Sequence, residues 1–184
     1  MTLANKITSI RIMLTPFFIL ALINYSPQKD FLRFIALGIF AVSAFTDFLD
    51  GYVARRFNQE TASGRVLDVV ADKIFLITAF VLLSLLLKLP LNVPVWVAVV
   101  IIGRDAVVIL SIFIFHIITK RLYILPDITG KLSIAVEMLV IIAVLLNFKH
   151  SFVIWNLAVA LACLSGIKYL VSGIRLVKKE KVSA

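Results

Sequence analysis

Six long apolar stretches, separated only by short polar breaks, leave this chain few ways to fold. They run from about Ile12 to Ile23, Phe31 to Ala54, Ser63 to Leu87, Val95 to Thr119, Lys131 to Phe148 and Ser151 to Val177. One helical crossing of a bilayer takes about 20 apolar residues, so 184 residues hold about six crossings and little else. The first stretch is short, and the segment from Leu3 is expected to act as a tilted or interfacial start. Pro90, Pro94, Pro126, Asp127 and Gly130 mark the breaks. Hydrocarbon offers no water to backbone polar groups, so open strands are excluded and each stretch is expected to be helical. The expected fold is an all-α integral membrane protein of six transmembrane helices with a short N-terminal interfacial segment, forming a single domain over 1–184. Composition agrees: 62% of residues are hydrophobic and 16% charged, where a soluble domain has about 45–50% and about 25%. A disordered chain is excluded on the same ground.

The net charge of +9 is explained by basic residues flanking membrane helices and facing an anionic leaflet, so nucleic acid is not expected as a partner. Lys6, Arg11, Arg55, Arg56, Arg65, Lys120, Arg121, Lys131, Arg175, Lys178, Lys179 and Lys181 fall on one side, twelve against the four of Lys29, Arg33, Lys88 and Lys149. This asymmetry, with an even number of crossings, places both termini in the cytoplasm. The basic tail is expected to lie against anionic headgroups. No small-residue cleavage site follows the first apolar run, and the compact length without a transit segment points to a prokaryotic inner membrane. Cys163, the single cysteine, cannot form an internal disulfide and is expected to be a small core residue.

Six acids lie in or at the edge of the apolar runs: Asp47, Asp50, Asp68, Asp72, Asp105 and Glu137. An aspartate at a helix centre costs about 2.5–3.5 kcal/mol on insertion, so Asp47, Asp50, Asp68 and Asp72 together cost on the order of 10 kcal/mol unless compensated. Intramembrane ionisable groups are functional by default. Asp47, Asp50, Gly51 and Ala54 stand at i, i+3, i+4 and i+7, one helix face; Gly64, Asp68 and Asp72 follow in i+4 steps on the next helix. A short connection makes these helices antiparallel, so their acidic faces are expected to converge near the cytoplasmic end. Arg55 and Lys73 are the side chains expected to supply nearby counter-charge. Divalent cations with oxygen ligands resolve the repulsion, and Mg²⁺ or Mn²⁺ fits better than zinc because the set lacks His and Cys. Gly51, Ala54 and Gly64 allow close helix packing; beside the acids they also leave room for a phosphorylated group to approach the backbone.

Written out, the stretch is Asp47-x2-Asp50-Gly51-x2-Ala54-Arg55-x8-Gly64-x3-Asp68-x3-Asp72. It resembles the full signature of the CDP-alcohol phosphatidyltransferases, with all eight positions matched over 26 residues. The start, Asn5-x2-Thr8-x2-Arg11, resembles that family's first segment. The resemblance implies six helices, a homodimer, and transfer of a phosphatidyl group from CDP-diacylglycerol to an alcohol with release of CMP. It implies that Asp47, Asp50, Asp68 and Asp72 hold metal, that Gly51, Ala54, Arg55 and Gly64 shape the CDP pocket with Asp47, Asp50 and Asp68, and that Asp72 is the general base. Physics agrees with such a site: two metals about 4 Å apart stabilise both attacking and leaving oxygens of a displacement at phosphorus. A phosphohistidine route is disfavoured, because His116 and His150 lie far from the signature and are expected to be interfacial.

For the acceptor, Arg104 in Gly103-Arg104-Asp105 and Lys131 in Thr129-Gly130-Lys131 stand out. A buried arginine needs an anion. Asp105 could supply it structurally; the functional reading is that Arg104 and Lys131 bind an acceptor phosphate. The pattern resembles the phosphatidylglycerophosphate synthase branch, which implies glycerol 3-phosphate. That branch usually has a second arginine about two turns on, where this chain has Ile112, whereas eukaryotic-type cardiolipin synthases share the Arg-Asp pair without it. Phosphatidylglycerol and inositol phosphate therefore stay as alternative acceptors. Lys73 either contacts the acceptor or reaches to the interface; Glu137 and Lys168 either pair or line a lipid-side cleft. Ala158, Ala160 and Ala162 permit helix–helix contact in a dimer. Two rivals from other classes are a small ion transporter, which leaves the Gly, Ala and Arg offsets unexplained, and an assembly protein with a polar helix seam.

Overall fold

A computed structural model describes the backbone of residues 3–57, 62–86, 89–119 and 128–183, and the side chains of 11–46, 72–86, 89–111 and 128–171. Among the described residues there are six α-helices and no strand: α1 (Leu3–Ile23), α2 (Phe31–Phe57), α3 (Ala62–Leu85), α4 (Val95–Thr119), α5 (Ile128–Leu145) and α6 (Ser151–Ser183), with a 3₁₀ turn at Pro27–Lys29. The expected interfacial segment and first apolar stretch are thus one helix. Among the described residues, two helical segments, Ile128–Leu145 and Ser151–Val171, are long and apolar enough to cross a membrane, and Arg11–Ile23 and Phe31–Thr46 are shorter apolar helices.

Local chemistry sets several boundaries. Pro16 sits inside α1, where it cannot donate to the preceding turn. The Thr15 hydroxyl donates to the Arg11 carbonyl at 2.9 Å in that turn. At the end of α5, Asn147 takes φ 55°. Its N–H donates to Val144 O and that of Phe148 to Ala143 O, the paired bonds of a Schellman stop with asparagine in the left-handed position. After α3, Asn92 Nδ2 donates to Leu86 O at 3.0 Å, satisfying a carbonyl past the helix end.

The chain forms two compact units. The first comprises Met1–Val93 with Ile141–Phe148. In it α1 packs against both α2 and α3. Phe18, Phe40 and Phe75, one from each helix, form its aromatic centre, with ring centroids 5.3–6.3 Å apart. All three are buried, together with Leu22, Ala36, Ala79, Phe80 and Leu83. Replacing Phe40 with leucine is expected to cost about 1–2 kcal/mol through lost transfer energy and a residual void, read as a lower melting temperature with unchanged helical circular dichroism. Beside this core, Arg33 donates to Asp30 Oδ2 at 2.8 Å, and Tyr25 donates to Asp30 Oδ1 at 3.3 Å. Burial, with the Asp30 carboxylate alongside, pushes the Tyr25 hydroxyl above its ordinary pKa.

The second unit comprises Pro94–Val140 with Lys149–Ala184, and in it α4 packs against α6. Its buried side chains include Val97, Ile101, Val136, Val140, Ala158 and Ala162. Large apolar side chains also cover the outward faces of both units, as with Met13 at 68% and Val99 at 63% exposure, a surface suited to lipid. Cys163 points outward among them and is exposed, contrary to the expected core position. The reason is that the surrounding stretch of α6 is apolar on every side, so sequence periodicity does not distinguish its inner face.

Candidate active site

The signature spans α2 and α3. Asp47, Asp50, Gly51, Ala54 and Arg55 fall on α2, and Gly64, Asp68 and Asp72 on α3. The side chains of 47–71 lie outside the described residues, so the expected convergence of Asp47, Asp50 and Asp68, and the pocket roles of Gly51, Ala54, Arg55 and Gly64, fall there too. His116 and Ile112 also fall outside.

Asp72 is described. Its Oδ1 lies 3.2 Å from Nη1 of Arg11, with the side chains 20% and 3% exposed respectively. Arg55 and Lys73 are the counter-charges expected from sequence, and the side chain of Arg55 lies outside the described residues; Arg11 of α1, about sixty residues before Asp72, adds an ion pair to it. The sequence signal for it was Arg11 itself, about two turns inside the first helix and counted among the basic residues of the cytoplasmic flank. Lys73 is buried and does not extend to the surface.

Among the described residues no three His, Cys, Asp or Glu side chains group to hold a metal. The candidate ligand set is nevertheless chemically uniform: four carboxylates at helical spacing on two consecutive helices. Hard oxygen donors of this kind suit Mg²⁺ and offer zinc none of its preferred sulfur or nitrogen ligands.

In the second unit, a buried polar cluster forms around Arg104. Its Nη1 donates to Asp105 Oδ1 at 2.7 Å, and the side chains are 6% and 2% exposed. Its Nη2 donates to Ser165 Oγ of α6 at 2.9 Å. Glu137 Oε1 of α5 lies 3.8 Å from Nη1 and accepts from Ser133 Oγ at 2.8 Å. Glu137 is fully buried while Lys168 is exposed, so the glutamate serves the arginine rather than that lysine. The Arg104 Nε donor is buried and has no hydrogen-bond partner among the described residues. Such an orphan costs about 1–3 kcal/mol until an acceptor meets it.

Two glycines bring backbone close to this side chain. A Cβ on Gly130 would stand 3.7 Å from Arg104 Nη2, and one on Gly166 3.5 Å from its Cγ. Gly130 lies in the first turn of α5, whose N-terminal dipole favours an anion. Lys131 follows it and is exposed. The structure therefore bears out the Arg104–Asp105 pair. It adds Glu137, Ser133, Ser165 and Gly166, which the sequence reading either left without a role or passed over.

A family model described as CDP-alcohol phosphatidyltransferase matches residues 1–165. A CDP-diacylglycerol–glycerol-3-phosphate 3-phosphatidyltransferase of Pseudomonas fluorescens is 44% identical over 113 residues, covering 59% of this chain and 53% of that protein. A probable phosphatidylglycerophosphate synthase of Mycobacterium tuberculosis is 30% identical over 179 residues, covering 94% of this chain and 82% of that protein. A CDP-diacylglycerol–glycerol-3-phosphate 3-phosphatidyltransferase of Escherichia coli is 43% identical over 81 residues, covering 42% of this chain and 41% of that protein. The chain thus spans about half the length of the first relative and less of the third. The family match runs through both structural units and contains every signature position from Asp47 to Asp72. By that match, this chain, helical throughout its described elements, belongs to the CDP-alcohol phosphatidyltransferase family.

Proposed function

We propose that this chain transfers the phosphatidyl group of CDP-diacylglycerol to glycerol 3-phosphate, giving phosphatidylglycerophosphate and CMP. The observation that carries the reaction class is the unbroken eight-position signature; the names of the relatives in Pseudomonas fluorescens and Escherichia coli support the acceptor. Asp47, Asp50, Asp68 and Asp72 hold Mg²⁺ or Mn²⁺, as two ions. A metal held by these carboxylates would supply charge neutralisation to the pyrophosphate and to the attacking and leaving oxygens. Gly51, Ala54, Arg55 and Gly64 shape the CDP pocket together with Asp47, Asp50 and Asp68. Asp72 accepts the proton of the acceptor hydroxyl, whose oxygen forms the new P–O bond as the bond to CMP breaks. Arg104 and Lys131 bind the acceptor phosphate, the arginine through its planar fork and the lysine as a point charge.

The wider reading is a single phosphatidyltransferase domain over 1–184, with six transmembrane helices, both termini in the cytoplasm of a prokaryotic inner membrane, and a homodimer among its lipids. Basic-residue asymmetry and apolar outward faces support it. Ile112, where a second arginine is usual, favours phosphatidylglycerol as the second acceptor to test.

Two measurements test this. CMP or CDP with Mg²⁺ should raise the melting temperature of the detergent-solubilised protein, and chelation with EDTA should remove both the shift and the turnover; at a hundredfold excess over Kd the gain is about 2.7 kcal/mol. Identical melting curves with and without nucleotide would favour an ion transporter. Next, CMP release is followed with CDP-diacylglycerol and glycerol 3-phosphate, phosphatidylglycerol, inositol phosphate or serine offered separately. Glycerol 3-phosphate is expected to support turnover. Turnover with serine alone would rule out a phosphate acceptor.

A further inference from the structure

Arg104 is gripped from three helices, and the grips differ in what they fix. Asp105 is its neighbour along α4, and its 2.7 Å bond alone leaves the guanidinium plane free to swing about that contact. Ser165 comes from α6, 61 residues away in sequence, and takes Nη2 at 2.9 Å. These two anchors occupy different Nη nitrogens, and with the covalent attachment through Nε as the third point they set the plane of the rigid guanidinium. Glu137 stands on the Nη1 side at 3.8 Å, itself held by Ser133. With both Nη groups engaged, the buried Nε donor is the nitrogen that lacks a partner among the described residues.

Ser165 is fully buried, and its hydroxyl is spent on the arginine rather than on water. A Cβ on Gly130 would lie 3.6 Å from Ser165 Oγ, so this contact sits beside the first turn of α5, next to the exposed Lys131. A neutral hydroxyl there fixes the guanidinium without adding a further negative charge to the Asp105 and Glu137 carboxylates already beside it.

We propose that Ser165 is a positioning residue for acceptor recognition: its Oγ locks the plane of the Arg104 guanidinium so that the edge carrying Nε faces the acceptor phosphate. This rests on the reading of Arg104 as the phosphate-binding residue. Ser165 acts through the arginine and takes no part in binding CDP-diacylglycerol. Its loss therefore weakens the phosphate-bearing acceptor selectively.

The test uses the purified 184-residue chain and initial rates of CMP release. Glycerol 3-phosphate is varied at saturating CDP-diacylglycerol, and then the reverse. Ser165→Ala is expected to raise KM for glycerol 3-phosphate about tenfold, with KM for CDP-diacylglycerol within about twofold of the parent. Inhibition by inorganic phosphate, as a competitor of the acceptor, should weaken in parallel. Ser165→Cys, close in size but a weak acceptor, carries the same expectation if the alanine variant does not fold. Arg104→Gln separates the two levels of the argument. If it leaves KM for glycerol 3-phosphate unchanged, the phosphate-binding reading itself falls, and this inference with it. If Arg104→Gln raises that KM and the Ser165 variants do not, or if they raise both KM values alike, Ser165 is a packing contact and the inference is overturned.

Discussion

Asp72→Asn is expected to lower CMP release by on the order of a thousandfold, within the range lost when a general base is removed. Two effects combine. The amide cannot take the acceptor proton, and it withdraws one negative charge from the four-carboxylate set proposed to hold Mg²⁺. A third consequence is structural. Arg11 is 3% exposed and lies 3.2 Å from the Asp72 carboxylate, so the substitution weakens the compensation of a buried cation. The loss of activity must be measured against the folded fraction, by melting temperature and by monodispersity in detergent. Full parental turnover in a folded Asp72→Asn protein would remove Asp72 as the base. Arg11 has a corresponding role in the fold, because it ties the first helix to the last signature position in the third.

Asp105→Ala is expected to destabilise the protein by about 3–5 kcal/mol, the range for removing one partner of a buried ion pair. For a chain of 184 residues that corresponds to a fall in melting temperature of about 6–20 °C, at about 2–4 °C per kcal/mol. The magnitude follows from burial: Arg104 and Asp105 are 6% and 2% exposed, so solvent screens little of the uncompensated charge. Adding Arg104→Met in the same chain should recover only part of the loss. Removing the cation relieves one unpaired charge but withdraws the guanidinium from Glu137, which is fully buried at 3.8 Å from Nη1. Full recovery would show that Glu137 draws no stabilisation from the arginine. A shift of less than about 1 kcal/mol for Asp105→Ala alone, the scale of an exposed pair, would show that the pair is hydrated in the membrane-bound protein.

Each expected stretch corresponds to a helix, with bounds that agree closely for some and differ for others: α1 begins at Leu3 where Ile12 was expected, and α6 runs on to Ser183 past the expected Val177. α4 has the expected bounds of Val95 and Thr119, and α6 begins at the expected Ser151. The cause is local: prolines and polar breaks end apolar runs that have no other way to satisfy their backbone. The signature was equally legible, because fixed helical offsets between Asp47 and Asp72 are a property of the chain and need no tertiary contact to be read. The Arg104–Asp105 pair was visible for the same reason, as neighbours in one apolar stretch.

Sidedness within the apolar runs was less legible. Cys163 was expected inside and is exposed, and Lys73, for which reaching the interface was one of two readings, is buried. In a helix that is apolar all round, hydrophobic periodicity carries little information about which face meets protein. Spacing offers Glu137 the i−4 hydroxyl of Ser133 but not its ionic partner, since Arg104 stands at no helical offset from it.

The sequence by itself determined the number and placement of the helices, the all-helical class and the family, because each depends on residue type and spacing along one chain. Tertiary structure decided which charges meet: Arg11 with Asp72, and Arg104 with Glu137 and Ser165. Those pairings join residues distant in sequence, and a buried charge selects its partner by proximity in the packed fold, which no local pattern encodes.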